Sequence, residues 1–282
     1  MIGQALFTYS NFDQIRHLNP RVKLSLARML ERENSAPIDY KALLHPVERR
    51  THVKGVRLYN ALFRLKSTFV TTNYDEWLDE RLPEPTRTTS ETDGDAAREP
   101  LRSMRVVHKV TDLTPDLLGE PNTVIHLHGS LGDPKGMILT TQDYVTHYAN
   151  DRLVGDPTKE NRVLTFLEYL FANKTVLFVG YGLEELEILE YVILKARRLP
   201  GSPENEAKHY ILQGFFSHED ALMRQLKSYY LKECGIELIP FLRDEKDHDQ
   251  LIDVLEQFAN IVPASTPLVI EKAREMEALL DG

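Results

Sequence analysis

Ser67-Thr68-Phe69-Val70-Thr71-Thr72-Asn73-Tyr74-Asp75 is the stretch on which the fold turns. Its first six residues are mostly β-branched or aromatic and read as a short strand, and the strand runs directly into an Asn-Tyr-Asp turn. Two later segments share this design. Residues 123–127 lead into His128-Gly129-Ser130, and residues 175–179 lead into Gly180-Tyr181-Gly182. Around these strands the apolar period is helical. Val22, Leu26, Met29 and Leu30 share one face, as do Val56, Tyr59, Leu62 and Phe63. Further helices are expected at 76–82, 184–198 (closed by Pro200-Gly201), 217–233 (opened by the capping-box pattern Ser217-His218-Glu219-Asp220), 248–261 and 267–280. Additional strands are expected at 209–212 and 236–242. Strands alternating with helices of this length predict an α/β fold with a mostly parallel sheet flanked by helices, with helical insertions.

Composition narrows the function classes. The chain has 282 residues, 42% hydrophobic and 27% charged, with a net charge of −9. Broad binding to a phosphate backbone needs clustered Lys and Arg, so direct nucleic-acid binding is not expected. Cys234 is the single cysteine, which rules out an internal disulfide and a four-cysteine zinc site. Residues 1–20 lack a basic segment followed by an apolar one, so no secretory signal is expected. The longest mostly apolar run, 175–183, falls well short of the roughly 20 residues of a membrane span. A cytoplasmic protein with no membrane partner is the expectation. Residues 83–100, rich in Pro, Thr, Glu, Asp and Arg, read as an exposed, mobile insertion.

In a parallel sheet, strand exits share one edge, and ligands bind in the crevice outside the carboxyl ends. The three polar exits are therefore expected to converge. Each has a plain alternative: Asn73 and Asp75 as caps of the next helix, His128-Gly129 as an ordinary turn, and Gly180-x-Gly182 as turn glycines. Their co-occurrence in a fixed order favours a ligand site at that edge over three unrelated turns. His17, His45, His52 and His108 are scattered without metal-ligand spacing and read as solvated or structural, so no metal set is assigned. Trp77 reads as a packing residue.

Thr71-Thr72-Asn73-Tyr74-Asp75, His126-Leu127-His128-Gly129-Ser130 and Val179-Gly180-Tyr181-Gly182-Leu183-Glu184, supported by Ile138-Leu139-Thr140-Thr141-Gln142-Asp143-Tyr144, resemble the sirtuin-like superfamily. The likeness is closer to its bacterial antiphage branch than to the protein deacylases. It implies a Rossmann-like core with NAD as substrate. By position, Asn73 would hold the ribose and the attacking water, Asp75 would recognise the nicotinamide carboxamide, and His128 would be the general base. Thr72, Gly129, Gly180 and Gly182 would lie against the nucleotide, and Glu187 would approach the adenosine ribose. The deacylases' cysteine zinc module has no counterpart here, so no zinc is expected and NAD hydrolysis is favoured over deacylation.

The resemblance divides the chain into a helical part, 1–66, a sirtuin-like core, 67–262, with the mobile insertion near 83–105, and a C-terminal helix, 263–282. Residues 1–66 contain only Gly3 and Gly55 and supply neither the family's first strand nor its glycine-rich diphosphate loop. The expectation is that an upstream segment, or else a neighbouring subunit, completes the site. The implied function is an NAD+ hydrolase that depletes NAD+ in bacterial antiphage defence. The alternative is a catalytically weak nucleotide-binding scaffold subunit, with deacylation or ADP-ribosyl transfer behind both. By resemblance alone, the expected partners are further copies of the chain in a homo-oligomer and a HerA-type hexameric ATPase.

Overall fold

The computed structural model describes residues 15–34, 37–46, 52–79, 104–148, 161–181, 193 and 209–261. Three helices come first: α1 (Pro20–Asn34), α2 (Tyr40–Leu44) and α3 (Val53–Arg64). Strands β1 (Phe69–Thr71), β2 (Arg105–Val107) and β3 (Thr123–His126) follow, with two 3-10 turns, Val110–Asp112 and Pro115–Gly119, carrying the β2-to-β3 connection. Next come α4 (Thr141–Tyr148), α5 (Arg162–Asn173), β4 (Leu177–Phe178) and β5 (His209–Phe215). The described chain closes with α6 (Asp220–Tyr229), β6 (Ile236–Leu242) and α7 (Gln250–Ile261).

Every strand pair is parallel. The strands form two three-stranded sheets, ordered β1-β3-β2 and β4-β5-β6. This is the expected α/β arrangement, a Rossmann-like fold of parallel strands with flanking helices. β3 is central and all four of its residues are buried, as a strand covered on both faces requires. Thr71 pairs with His126, so the exits of β1 and β3 are direct neighbours.

From sequence, no element is expected at 161–174, yet α5 forms the hub of the core. The Asn161 side chain caps it by accepting from the Leu164 N–H at 3.2 Å. Val163, Leu164, Phe166, Leu167, Leu170 and Phe171 are buried on it. They join one cluster with Ile125 and Leu127 beside the first sheet and Phe178, Ile211, Ile236 and Leu238 from the second. Cys234 is buried in the same cluster, within a π-turn after α6 that ends at Gly235 with φ +67°. A smaller cluster of Ala27, Ile38, Tyr40, Met137 and Leu139 seats α1 against the 137–139 segment.

Several boundaries differ from expectation. Residues 76–79 form a turn instead of the start of a helix. β2 begins at Arg105, the last residue assigned to the insertion. The capping box before α6 sits one residue early, with Glu219 accepting from the Phe216 N–H, because the Ser217 hydroxyl and amide both donate to Asp244. β5 runs on to Phe215 because β6 offers seven consecutive partners. The expected helix at 267–280 and the 83–100 insertion lie outside the described residues, as does the expected helix at 184–198 apart from Ile193, which is helical and buried in the core. No described helix is long and apolar enough to cross a membrane.

α3 is joined at the surface to α7 by Arg57 with Asp253 and Glu256 and by Arg64 with Asn260, and to the 3-10 turn just before α7 by Lys54 with Asp249. Arg57 keeps 42% of its side-chain surface exposed, and such pairs contribute little in water. Phe166 is fully buried. In urea titrations Phe166→Ala is expected to lose about 3–5 kcal/mol, and Arg57→Ala no more than about 1 kcal/mol. Equal losses would show that the α3–α7 ion pairs, and not the α5 core, hold the fold.

Candidate functional site

The site forms where β1 and β3 end side by side. The Leu127 N–H donates to the Thr71 carbonyl at 2.9 Å and carries the pairing one residue past the strand. Thr71 Oγ1 accepts from the Asn73 N–H at 3.0 Å, and the Asn73 carbonyl accepts from His126 Nδ1 at 3.0 Å. The Asn73 backbone is thus held from both sides, while its side chain is exposed and makes no hydrogen bond among the described residues. Asp75 is half-buried, and its Oδ1 accepts from the Trp77 N–H at 3.2 Å. Burial raises the Asp75 pKa, against the lowering effects of that N–H and of the His45 and His126 charges. Trp77 is buried and stacks on His45 with ring centroids 3.9 Å apart, a packing role as expected.

His128 lies one residue beyond the end of the β3 pairing and is only 4% exposed. Tyr144 and Tyr148 of α4 meet its ring edge-on, at 5.2 and 5.9 Å between centroids. The Tyr144 hydroxyl lies 3.3 Å from His128 Nδ1. α4 is oriented by Asp143, whose carboxylate accepts from the Leu139 and Thr140 N–H groups. The guanidinium of Arg21, on α1, sits 4.1 Å from the Tyr144 ring centroid. Burial first, then the Arg21 charge, hold the His128 pKa down from 6.5 to about 4, against a raising hydrogen bond to the Thr72 backbone. The imidazole is therefore neutral at physiological pH.

Gly129 adopts φ +72°, and a Cβ there would lie 3.0 Å from the Gly136 carbonyl oxygen and 3.1 Å from Met137 Cα. The close approach that demands glycine is to the chain's own backbone, where Ile138 N–H also donates to the His128 carbonyl at 2.9 Å. Gly180 lies two residues beyond the end of β4 in the second sheet, with φ +63° and no atom of the described residues within 4 Å of a Cβ placed there. It shares the core with the first two exits through Phe178 and Tyr181, but no hydrogen bond of the described residues links it to Asn73 or His128. Gly182 and Glu187 lie outside the described residues.

Sequence reasoning missed a second layer behind Asn73. His126 is fully buried, and its Nε2 meets Asp79 Oδ1 at 2.8 Å. Burial works against its charged form, but the Asp79 carboxylate and the Asn73 carbonyl hold the pKa above the ordinary value. His108, just after β2, stacks on His126 at 5.7 Å, and its Nδ1 hydrogen-bonds Ser130 Oγ. Of the two readings, solvated or structural, His108 takes the structural one, held by Ser130 and His126. The alternation of His126 and His128 around Leu127 was the one readable signal for this layer. Asp79, His108 and Arg21 come from remote segments and carry none.

His128 fixes a measurable pH dependence. Below pH 6.5 the unfolded chain takes up a proton that the folded chain refuses, so this residue's contribution to stability falls as pH drops towards about 4. Across that window the loss is about 3 kcal/mol. The His128 ring resonance should titrate with a midpoint near 4 in NMR spectra. A midpoint at the ordinary histidine value would show that the ring is solvated. Gly129→Ala should lower the melting temperature, by an amount corresponding to about 1–3 kcal/mol of backbone strain plus the clash at Gly136. A variant as stable as the parent would remove the need for glycine there.

The comparison with known families agrees with this geometry: a family model described as a SIR2-like domain matches residues 67–239, from the start of β1 into β6 and over more than half of the chain.

Proposed function

The chain belongs to the SIR2-like family, and from that footing we propose that it hydrolyses NAD+ to nicotinamide and ADP-ribose. The observation that carries this reading is the pairing of an exposed Asn73 side chain, unbonded among the described residues, with a neutral His128 on adjacent strand ends. Hydrolysis breaks the bond between ribose C1′ and the nicotinamide nitrogen, whose electron pair leaves with the ring. Water oxygen bonds C1′, and its proton passes to a base. Asn73 would orient the ribose and that water. His128 would take the proton, with Tyr144 releasing Nδ1 or relaying the proton through its hydroxyl. Asp75 would accept from the carboxamide N–H₂, and Thr72, Gly129, Gly180, Gly182 and Glu187 are assigned to nucleotide contacts.

Arg21 would meet the diphosphate. Its cation sits beside His128, and a bound diphosphate would offset the charge that lowers the His128 pKa. Substrate binding would thus move the base towards the pH at which it works best. In this reading the enzyme depletes cellular NAD+ as the effector of a bacterial antiphage system, working as a homo-oligomer with a HerA-type ATPase partner. A second reading, a weakly catalytic nucleotide-binding scaffold, is favoured by the near-complete burial of His128.

Incubation with NAD+, followed by nicotinamide release, tests both readings, with an acyl-peptide control for deacylation. Asn73→Ala should cut turnover by about 10²–10³-fold in a chain that still folds. Arg21→Ala should raise KM more than it lowers kcat. Unchanged turnover in folded Asn73→Ala would overturn the assignment. NAD+ binding without cleavage by the parent chain would establish the scaffold reading.

A further inference from the structure

Three potential ligand atoms converge behind Asn73 from three segments that are distant in sequence. Asp79 comes from the turn after β1, His108 from the end of β2 and His126 from the end of β3. One donor atom from each lies within 4.8 Å of the other two. The Asp79 side chain is only 9% exposed. Its Oδ1 meets His126, while its Oδ2 is buried with no hydrogen-bond partner among the described residues and lies 4.0 Å from His108 Nδ1. A carboxylate oxygen buried without a partner is costly, and a cation relieves that cost directly.

The surroundings of His126 also suit a metal. Its Nδ1 is bonded to the Asn73 carbonyl, which fixes the ring and leaves Nε2 directed at the shared space. A backbone acceptor on the far nitrogen is the usual support of a metal-bound histidine. His108 is one-third exposed and forms the entry side, with Ser130 Oγ next to its Nδ1. Two imidazoles and one carboxylate match the donor set of zinc and similar borderline divalent ions.

We infer that Asp79, His108 and His126 form a binding site for one divalent cation of the zinc class, set behind the Asn73 turn. On binding, the cation takes the His126 Nε2 lone pair, and any proton held there leaves to solvent. The Asp79–His126 hydrogen bond is replaced by two bonds to the metal. Through His126 Nδ1, occupancy then fixes the Asn73 carbonyl. The site is separate from the four-cysteine zinc module whose absence led to the expectation of no zinc. Its existence does not depend on the NAD+ reaction.

The test uses the full chain, stripped with a chelator and titrated with zinc chloride and with cobalt(II) chloride. Zinc should bind at one equivalent per chain and raise the melting temperature. Cobalt(II) should give visible absorption bands of a low-symmetry nitrogen and oxygen site. Asp79→Asn and His108→Ala should each weaken binding by at least about tenfold and abolish the melting shift. The cobalt spectrum of the parent chain decides the matter even where a variant fails to fold. Absence of saturable binding to the parent, or binding that both folded variants retain, would overturn the site.

Discussion

The candidate site depends on a parallel pairing only three residue pairs long. Phe69, Val70 and Thr71 lie beside Val124, Ile125 and His126, and that register puts Asn73 next to His128 although β2 and two 3-10 turns intervene in sequence. Side chains alternate along a strand, so a slip of one residue would bring the wrong faces together and carry His126 away from the Asn73 carbonyl. Both faces of β3 are buried, so the register is held by matched packing in the core together with the Leu127 N–H to Thr71 carbonyl and His126 Nδ1 to Asn73 carbonyl bonds. Core packing and site geometry are therefore one constraint, set by the same few residues.

Two layers separate at this edge. Nearer the solvent stand Asn73, with an exposed side chain, and Arg21 over Tyr144. Beneath them, Asp79, His126, His108 and Ser130 form a connected polar group. Such an arrangement lets the outer residues meet a ligand while the inner ones carry the energetic cost of holding the turn. The helical segment before the sheet belongs to this machinery, since the small cluster around Ala27 and Leu139 is what brings Arg21 to His128.

Much of this was legible in the sequence, and what was not has identifiable causes. The exits of β1, β3 and β4 announce themselves because β-branched runs stop abruptly at Asn, His or Gly. β2 did not, since Arg105-Val106-Val107 is too short to display a period. α5 carries a readable helical stripe and an Asn161 cap, but a mostly apolar segment next to a strand invites no separate assignment. Gly129 was legible as a necessary glycine, but the approach of Gly136 and Met137 that also requires it was not. Asp79, His108 and Arg21 acquire their roles only through tertiary packing, so no local pattern marks them.

The burial of Cys234 has a practical consequence. As the chain's sole thiol, it lies beneath β6 at 1% exposure and is shielded from solvent reagents while the second sheet is closed. Its rate of alkylation therefore reports how often that sheet opens, without any engineered label. The protein carries an intrinsic clock for its own local unfolding, placed in the turn that leads into β6.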